Sequence, residues 1–273
     1  MTARIHPTAV VDPAAELADG VVIGPHAVVG AEVTIGEGTE IGAGAQVQGP
    51  TRIGRENRIY AHAAIGFPPQ DLKFAGERVA LEIGDRNHFR EFCTVHRGTG
   101  KGGGLTRVGS DGLFMVYSHI AHDCQVGDRV LFANSGTLAG HVEVGDDAAI
   151  GAFSAVHQFC RVGRHAYIGG FSRLLTDALP FVKTVGIRPA CFGLNRIGLR
   201  RKGFSAETLK ALEAGLRIFL RSGLNTSQAL ARLESELGGE PEVRYFVEFV
   251  RHSRRGVCKA LPGRRGADEA QEE

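Results

Sequence analysis

An aliphatic residue recurs at every sixth position from the start of the chain: Ile5, Val11, Leu17, Ile23, Val29, Ile35, Ile41, Val47, Ile53, Ile59 and Ile65. Glycine often follows it, as in Ile23-Gly24, Ile35-Gly36, Ile41-Gly42 and Ile53-Gly54. The phase returns at Ile83, Phe89 and Val95, resumes at Val108, and continues through Phe114, Ile120 and Val126 to Leu174. An amphipathic helix repeats near 3.6 residues and an antiparallel strand near 2. A sustained period of six fits neither, and is the hexapeptide signature of a parallel β-helix.

The position four after each aliphatic is small, as at Ala9, Ala27, Ala45, Ala63, Ala148 and Ser154. This gives every repeat a second inward side chain that a narrow prism can hold. Cys93, Cys124 and Cys160 occupy the same position and read as buried small hydrophobes. Two segments break the count, Phe67 to Glu77 and Arg97 to Leu105, and the second shifts the register by one residue. Insertions in a solenoid become loops on one face, often the binding face.

After about Pro180 the period stops, and the pattern predicts three helices. The first runs from the N-cap Ser205 to Gly223, the second from Thr226 to Leu237, the third from Pro241 to about His252. Their expected task is to cover an open coil end that would otherwise present unpaired strand edges. The reading is thus a coil domain over 1–185, a helical domain over 186–255, and a tail over 256–273 expected to be disordered.

Composition narrows the function. Thirty-eight glycines, no tryptophan and 7% aromatic residues suit many tight corners better than a helix-rich core. Five cysteines without a CxxC pair argue against a disulfide framework or structural zinc. No apolar run of about 18 residues could span a bilayer. The N-terminus lacks the apolar core of a secretory signal, so the expected location is cytoplasmic. The net charge of +2 hides an asymmetry: residues 188–265 carry 16 Lys and Arg against 7 Asp and Glu. That excess points to an acidic partner. Nucleic acid is disfavoured, because no aromatic residues interleave with the bases.

The candidate chemistry lies in Ser118-His119-Ile120-Ala121-His122-Asp123-Cys124. If one coil is 18 residues, His122 lies beneath Gly140 and Gly140 beneath Gln158, which brings His119, His122, His141 and His157 within about 10 Å. Two readings follow. His122 could be a general base, since a neutral imidazole suits pH 7, with the Gly140 N–H facing a developing oxyanion. Asp123 could orient it, although neighbours on a strand point to opposite faces. Alternatively, His119, His122 and His141 could hold a catalytic zinc.

Six motifs favour the first reading: Gln70-Asp71-Leu72-Lys73, Val95-His96-Arg97-Gly98-Thr99, Gly102-Gly103-Gly104-Leu105-Thr106, His119-Ile120-Ala121-His122-Asp123-Cys124, Leu138-Ala139-Gly140-His141-Val142 and Ala155-Val156-His157-Gln158-Phe159. Over residues 5–255 the chain resembles the bacterial UDP-N-acetylglucosamine O-acyltransferases that begin lipid A synthesis. The resemblance implies a left-handed parallel β-helix of three hexapeptides per coil with a C-terminal helical domain, against the usual right-handed crossover. It implies a homotrimer with sites between neighbouring columns, and no cofactor, the acyl donor riding on the phosphopantetheine of acyl carrier protein. His122 then matches the base that deprotonates the sugar 3-hydroxyl for direct attack on an (R)-3-hydroxyacyl thioester, and Gly140 the oxyanion donor. Gln70, Asp71, Lys73, His119, His141, His157 and Gln158 match positions that hold sugar and acyl groups. Asn195, Arg201 and Lys202 match the nucleotide and diphosphate end, and Gly170 a position that limits acyl length.

The chain departs from the family where Lys202 replaces an arginine, losing bidentate phosphate geometry. The basic excess around Arg200, Arg201, Lys202, Arg217 and Arg221 is expected to meet the acidic carrier. Three rivals share the fold: a coenzyme A-dependent acetyltransferase, a non-enzymatic scaffold subunit and a metal hydratase. A 3-amino sugar nucleotide is a further possible acceptor.

Overall fold

The computed structural model describes residues 2–261. Among them, short strands form three sheets of 11, 9 and 8 strands, parallel except for the last strand of the first, one on each face of a left-handed triangular column. The chain visits the faces in turn: Val22–Ile23 lies on the first, Val28–Val29 on the second, Val33–Ile35 on the third. Strand partners stand 18 residues apart, as in Val22↔Glu40 and His119↔Thr137. Parallel strands repeat at about 4.8 Å, so each coil copies the corner beneath it at that spacing.

The six-residue period sets which side chains point in. Ile23, Ile35, Ile41, Val47, Ile65 and Ile120 are all at most 1% exposed, and they stack in the prism interior. Phe89, Phe114 and Phe132 form a column of rings 4.6 and 5.2 Å apart on the first face. The cysteines behave as expected: Cys93, Cys124 and Cys160 are buried, and burial pushes their thiols up to about 11, 12 and 11.

Corners carry the strain. Their second residue takes the left-handed conformation, with φ between +54° and +66° at non-glycine positions such as Glu56, Asp123 and His141. Each costs about 1 kcal/mol. A hydrogen bond helps to offset it, because the N–H of that residue donates to the corner carbonyl one coil below, as in His141 to His122 at 3.0 Å. At the corner between the third and first faces, charges alternate up the column. Arg86 pairs with Asp111 at 2.7 Å and Arg129 with Asp147 at 3.0 Å.

Both insertions leave the column at one corner, between the second and third faces. Across the first, partners are 30 residues apart (Ile53↔Ile83), and across the second 25 (Ile83↔Val108). The loops are therefore bulges on an uninterrupted ladder.

The C-terminal end differs from expectation. The edge of the first face is extended by an antiparallel hairpin, Val182–Val185 with Ala190–Leu194, and the boundary expected at residue 185 falls inside it. The helices pack on that hairpin: α1 (Arg196–Arg201), α2 (Ala206–Arg221), α3 (Thr226–Leu237) and α4 (Pro241–Arg251) bury Leu199, Leu212, Phe219, Leu233, Phe246 and Val247 around Phe181 and Leu194. The short α1 was not foreseen. Nor does the tail begin at Gly256. The Cys258 N–H donates to the Asp177 carbonyl at 2.9 Å, and the Cys258 side chain is buried. The rest of the expected tail, 262–273, lies outside the described residues.

A solenoid coil depends on its neighbours for its core. Truncating the middle ring, Phe114→Ala, is therefore expected to cost about 3–5 kcal/mol. Denaturant unfolding at fixed protein concentration would show this as a lowered midpoint, with Leu72→Ala, on the exposed first loop, as the unchanged control.

Candidate active site

His119 begins a second-face strand that ends at Ile120, and the next residues turn the corner toward Gln125–Val126 on the third face. His122 and Asp123 are the two corner residues. One coil above stand Gly140 and His141, and above them Gln158 and Phe159. This stacking was legible from the 18-residue coil. The orientation of Asp123 was not: the sequence argument treated it as a strand residue, whereas its φ of +61° places it on a corner. The left-handed turn swings its carboxylate back beside His122, with Nδ1 of the imidazole 2.8 Å from Oδ2.

The pair is enclosed but reachable. The Asp123 side chain is 1% exposed and that of His122 15%. Donors surround the carboxylate: the Thr99 N–H reaches Oδ1 at 2.9 Å and the Thr99 hydroxyl reaches Oδ2 at 2.7 Å. An acceptor-only carboxylate requires the proton of His122 on Nδ1, which leaves Nε2 with its lone pair free.

Gly140 lies against this ring. A Cβ there would stand 2.4 Å from His122 Cε1 and 2.7 Å from Nε2, so only glycine leaves the imidazole its place. Its N–H has no acceptor among the described residues. Matching N–H groups on the corner between the third and first faces are capped from the coil above, Ser110 by Asp128 and Asp128 by Asp146. The corner at Gly140 carries no such cap, so a free donor stands beside a free base.

The other histidines frame the site. The His141 ring meets His122 edge-on with centroids 5.1 Å apart and stacks on Phe159 at 4.4 Å. His119 is turned away: its Nδ1 is 2.7 Å from the Thr94 hydroxyl. Burial lowers the pKa of both His119 and His141. His96, which sequence reasoning left without a role, is buried beneath the cluster, edge-on to His119 at 5.0 Å. Burial, with smaller contributions from His119 and His122, pushes it down to about 4, so this ring is neutral at pH 7. His157 is half-buried with Nδ1 3.1 Å from the Gln158 carbonyl, and Gln158 is exposed. From the first insertion, the Asp71 charge is felt at His141, while Gln70 and Lys73 are exposed.

The three-histidine zinc set is not assembled, because His119 faces Thr94. The donors that do converge are His122, Asp123 and His141, within 4.8 Å of one another. Two ligands about 2.0 Å from a tetrahedral zinc stand roughly 3.3 Å apart. The 2.8 Å between His122 and Asp123 is a hydrogen-bond length instead.

The remaining candidates lie on other corners. Asn195 caps α1 through Gly198 N–H and donates its amide to the His165 carbonyl at 3.1 Å. Lys202 pairs with the buried Asp147 at 2.6 Å. Both belong to the corner between the third and first faces, and Arg201, the last residue of α1, is exposed. Gly170 lies on the corner between the first and second faces, where an added Cβ would meet only the Ala152 backbone, at 3.4 Å and beyond. Packing does not demand glycine there.

Comparison with known proteins agrees with this architecture. A family model described as UDP N-acetylglucosamine O-acyltransferase, domain 2, matches residues 177–258, and one for bacterial transferase hexapeptides matches 32–66. The acyl-[acyl-carrier-protein]–UDP-N-acetylglucosamine O-acyltransferase of Stenotrophomonas maltophilia is 49% identical over 94% of this chain and 98% of its own. That of Halorhodospira halophila is 51% identical over 94% and 99%. Among solved structures, the UDP-N-acetylglucosamine acyltransferase of Francisella novicida superposes with a TM-score of 0.91 at 36% identity, covering 93% of each chain. The O-acyltransferase of Moraxella catarrhalis gives 0.90 at 43%, covering 94% and 99%. At about half identity to two relatives over nearly the whole length of each, the chain belongs to the UDP-N-acetylglucosamine O-acyltransferase family and is an acyltransferase.

Proposed function

We propose that this acyltransferase moves an (R)-3-hydroxyacyl group from acyl carrier protein to the 3-hydroxyl of UDP-N-acetylglucosamine, the step that opens lipid A biosynthesis. The curated relatives carry that acceptor and that carrier in their names. The mechanism rests on one observation, the alignment of Asp123, His122 and Gly140 at a single corner. His122 Nε2 takes the proton of the 3-hydroxyl as the oxygen attacks the thioester carbonyl. The carbonyl oxygen gains charge and accepts from the Gly140 N–H. Collapse expels the phosphopantetheine thiolate, and the imidazolium returns its proton to that sulfur. Asp123 holds the ring and offsets its transient positive charge. No cofactor is called for.

A direct transfer fits the cysteines, since all five are buried. Cys124, next to Asp123, points inward and donates to the Ala139 carbonyl at 3.2 Å. A buried thiol held at about 12 is a poor nucleophile.

The working unit in this reading is a homotrimer. Phe92, Tyr117, Phe153 and Phe171 line the corner between the first and second faces and are 43–67% exposed, an apolar ridge that favours burial by other columns. A second column would also bring a nucleotide end built from Asn195, Arg201 and Lys202, and the acyl boundary at Gly170, toward a His122 that its own chain cannot offer them. Gln70, Asp71, Lys73, His141, His157 and Gln158 hold the sugar and the acyl chain. The acidic carrier docks on Arg200, Arg201, Arg217 and Arg221, which have no ion-pair partner among the described residues. The reaction belongs in the cytoplasm, with its two soluble substrates.

With UDP-N-acetylglucosamine and 3-hydroxyacyl carrier protein, His122→Ala is expected to lower kcat by about 10²–10⁴ while the thermal midpoint holds. Undiminished turnover would remove the base from the mechanism. Gly140→Ala keeps its N–H but forces the ring aside, and a misplacement of about 1 Å should cost on the order of 10²-fold in kcat. Raising salt from about 50 to 200 mM should weaken kcat/KM for the carrier about threefold while leaving KM for the sugar nearly constant. A flat salt profile would take the carrier away from the basic patch.

A further inference from the structure

The second insertion is the one sequence motif that the proposed reaction leaves without a task. It forms a single 3-10 turn, Gly100–Gly102, with Thr99 as its cap. The turn is folded onto Asp123. Thr99 donates its N–H to Oδ1 at 2.9 Å and its hydroxyl to Oδ2 at 2.7 Å, while that hydroxyl accepts the Gly102 N–H at 3.1 Å. A Cβ on Gly102 would lie 2.2 Å from the Asp123 carboxylate, so glycine is what lets the turn close over it. Below, the Thr106 hydroxyl accepts the Asp123 N–H at 2.7 Å. Thr99 and Thr106 are themselves 5% and 0% exposed.

Oδ2 is therefore a shared acceptor, with the Thr99 hydroxyl on one side and His122 Nδ1 on the other. The Gly102 N–H orients the hydroxyl so that its own proton points to the carboxylate, and an oxygen that receives two donors has no proton to give. We infer that Thr99 is a positioning residue for proton transfer: through Asp123 it fixes the His122 proton on Nδ1 and keeps Nε2 bare toward the acceptor hydroxyl. This rests on the reaction proposed above. The hydroxyl also draws off part of the carboxylate charge. Without it, the groups left facing Oδ2 would be His122 Nδ1 at 2.8 Å and, further off, His141 Nε2 at 3.7 Å, so more of the carboxylate charge would fall on the imidazoles.

Thr99→Val removes the donor at Oδ2 and retains the shape and the N–H bond to Oδ1; Thr99→Ser retains the hydroxyl. For the valine variant, kcat should fall about tenfold, KM for the sugar nucleotide should stay within about twofold, and the acid limb of kcat/KM should move. Serine should restore all three. Nitrogen NMR of labelled histidines, read on the protein alone, should show wild-type His122 protonated at Nδ1 and a changed titration in the valine variant. An unmoved acid limb with an unmoved His122 signal, or a serine variant no better than valine, would overturn the assignment. So would a wild-type His122 protonated at Nε2, which needs no variant to fold. Absence of turnover in the wild type would count against the reaction instead, because the ring-nitrogen spectra decide the positioning without substrate.

Discussion

Everything in this molecule depends on the parallel hydrogen bonding that sets each coil about 4.8 Å above the last. That ladder copies a corner upward without drift, so residues 18 apart become neighbours, and a chemical group on one coil acquires a fixed ceiling on the next. Gly140 over His122 is the consequence that matters most. An imidazole with a glycine above it has room for its ring and a backbone donor within reach. The same pair in a loop would have neither guarantee.

The ladder also explains where variation is allowed. A strand residue cannot be added without flipping inward side chains outward, but a corner can be lengthened freely. Both insertions enter between the second and third faces, and the ladder closes across each of them, Ile53↔Ile83 and Ile83↔Val108. They share the corner of His122 and His141. The first loop brings Asp71 near His141, and the second folds Thr99 onto Asp123. Reactive groups from three discontinuous stretches thus meet on a scaffold that is regular everywhere else.

What could be read in advance divides along the same line. Periodicity revealed the coil, the inward positions and the stacking of His122 under Gly140, because those follow from counting. Counting failed at Asp123, where the alternation of a strand was applied to a residue on a left-handed corner. It failed again at Thr99, since a loop outside the repeat has no register from which its contacts can be deduced. The ordering of Gly256–Leu261 was hidden for a different reason. Its mostly apolar residues were grouped with the Arg-, Asp- and Glu-rich residues that follow, yet Val257 bridges Asp177 and Cys258 is buried against the hairpin.

A strict repeat has one further effect on electrostatics. Because corners stack, any charge placed on one of them meets the charge 18 residues on, and the corner of Arg86, Asp111, Arg129 and Asp147 answers by alternating sign up to Lys202. Asp147 is thereby engaged by Arg129 and Lys202 together, and the favourable pairs hold its carboxyl below the usual range despite burial. At the histidine corner the solution is the reverse. The buried Asp123 carboxylate faces the His141 ring, whose pKa burial holds down, and the Asp71 charge also reaches that ring. A buried negative charge beside the ring, enclosed by hydroxyl and amide donors, suits an imidazole that must become cationic briefly and then give its proton up. The ladder that neutralises charge along one corner concentrates it at the other, and the chemistry follows the concentration.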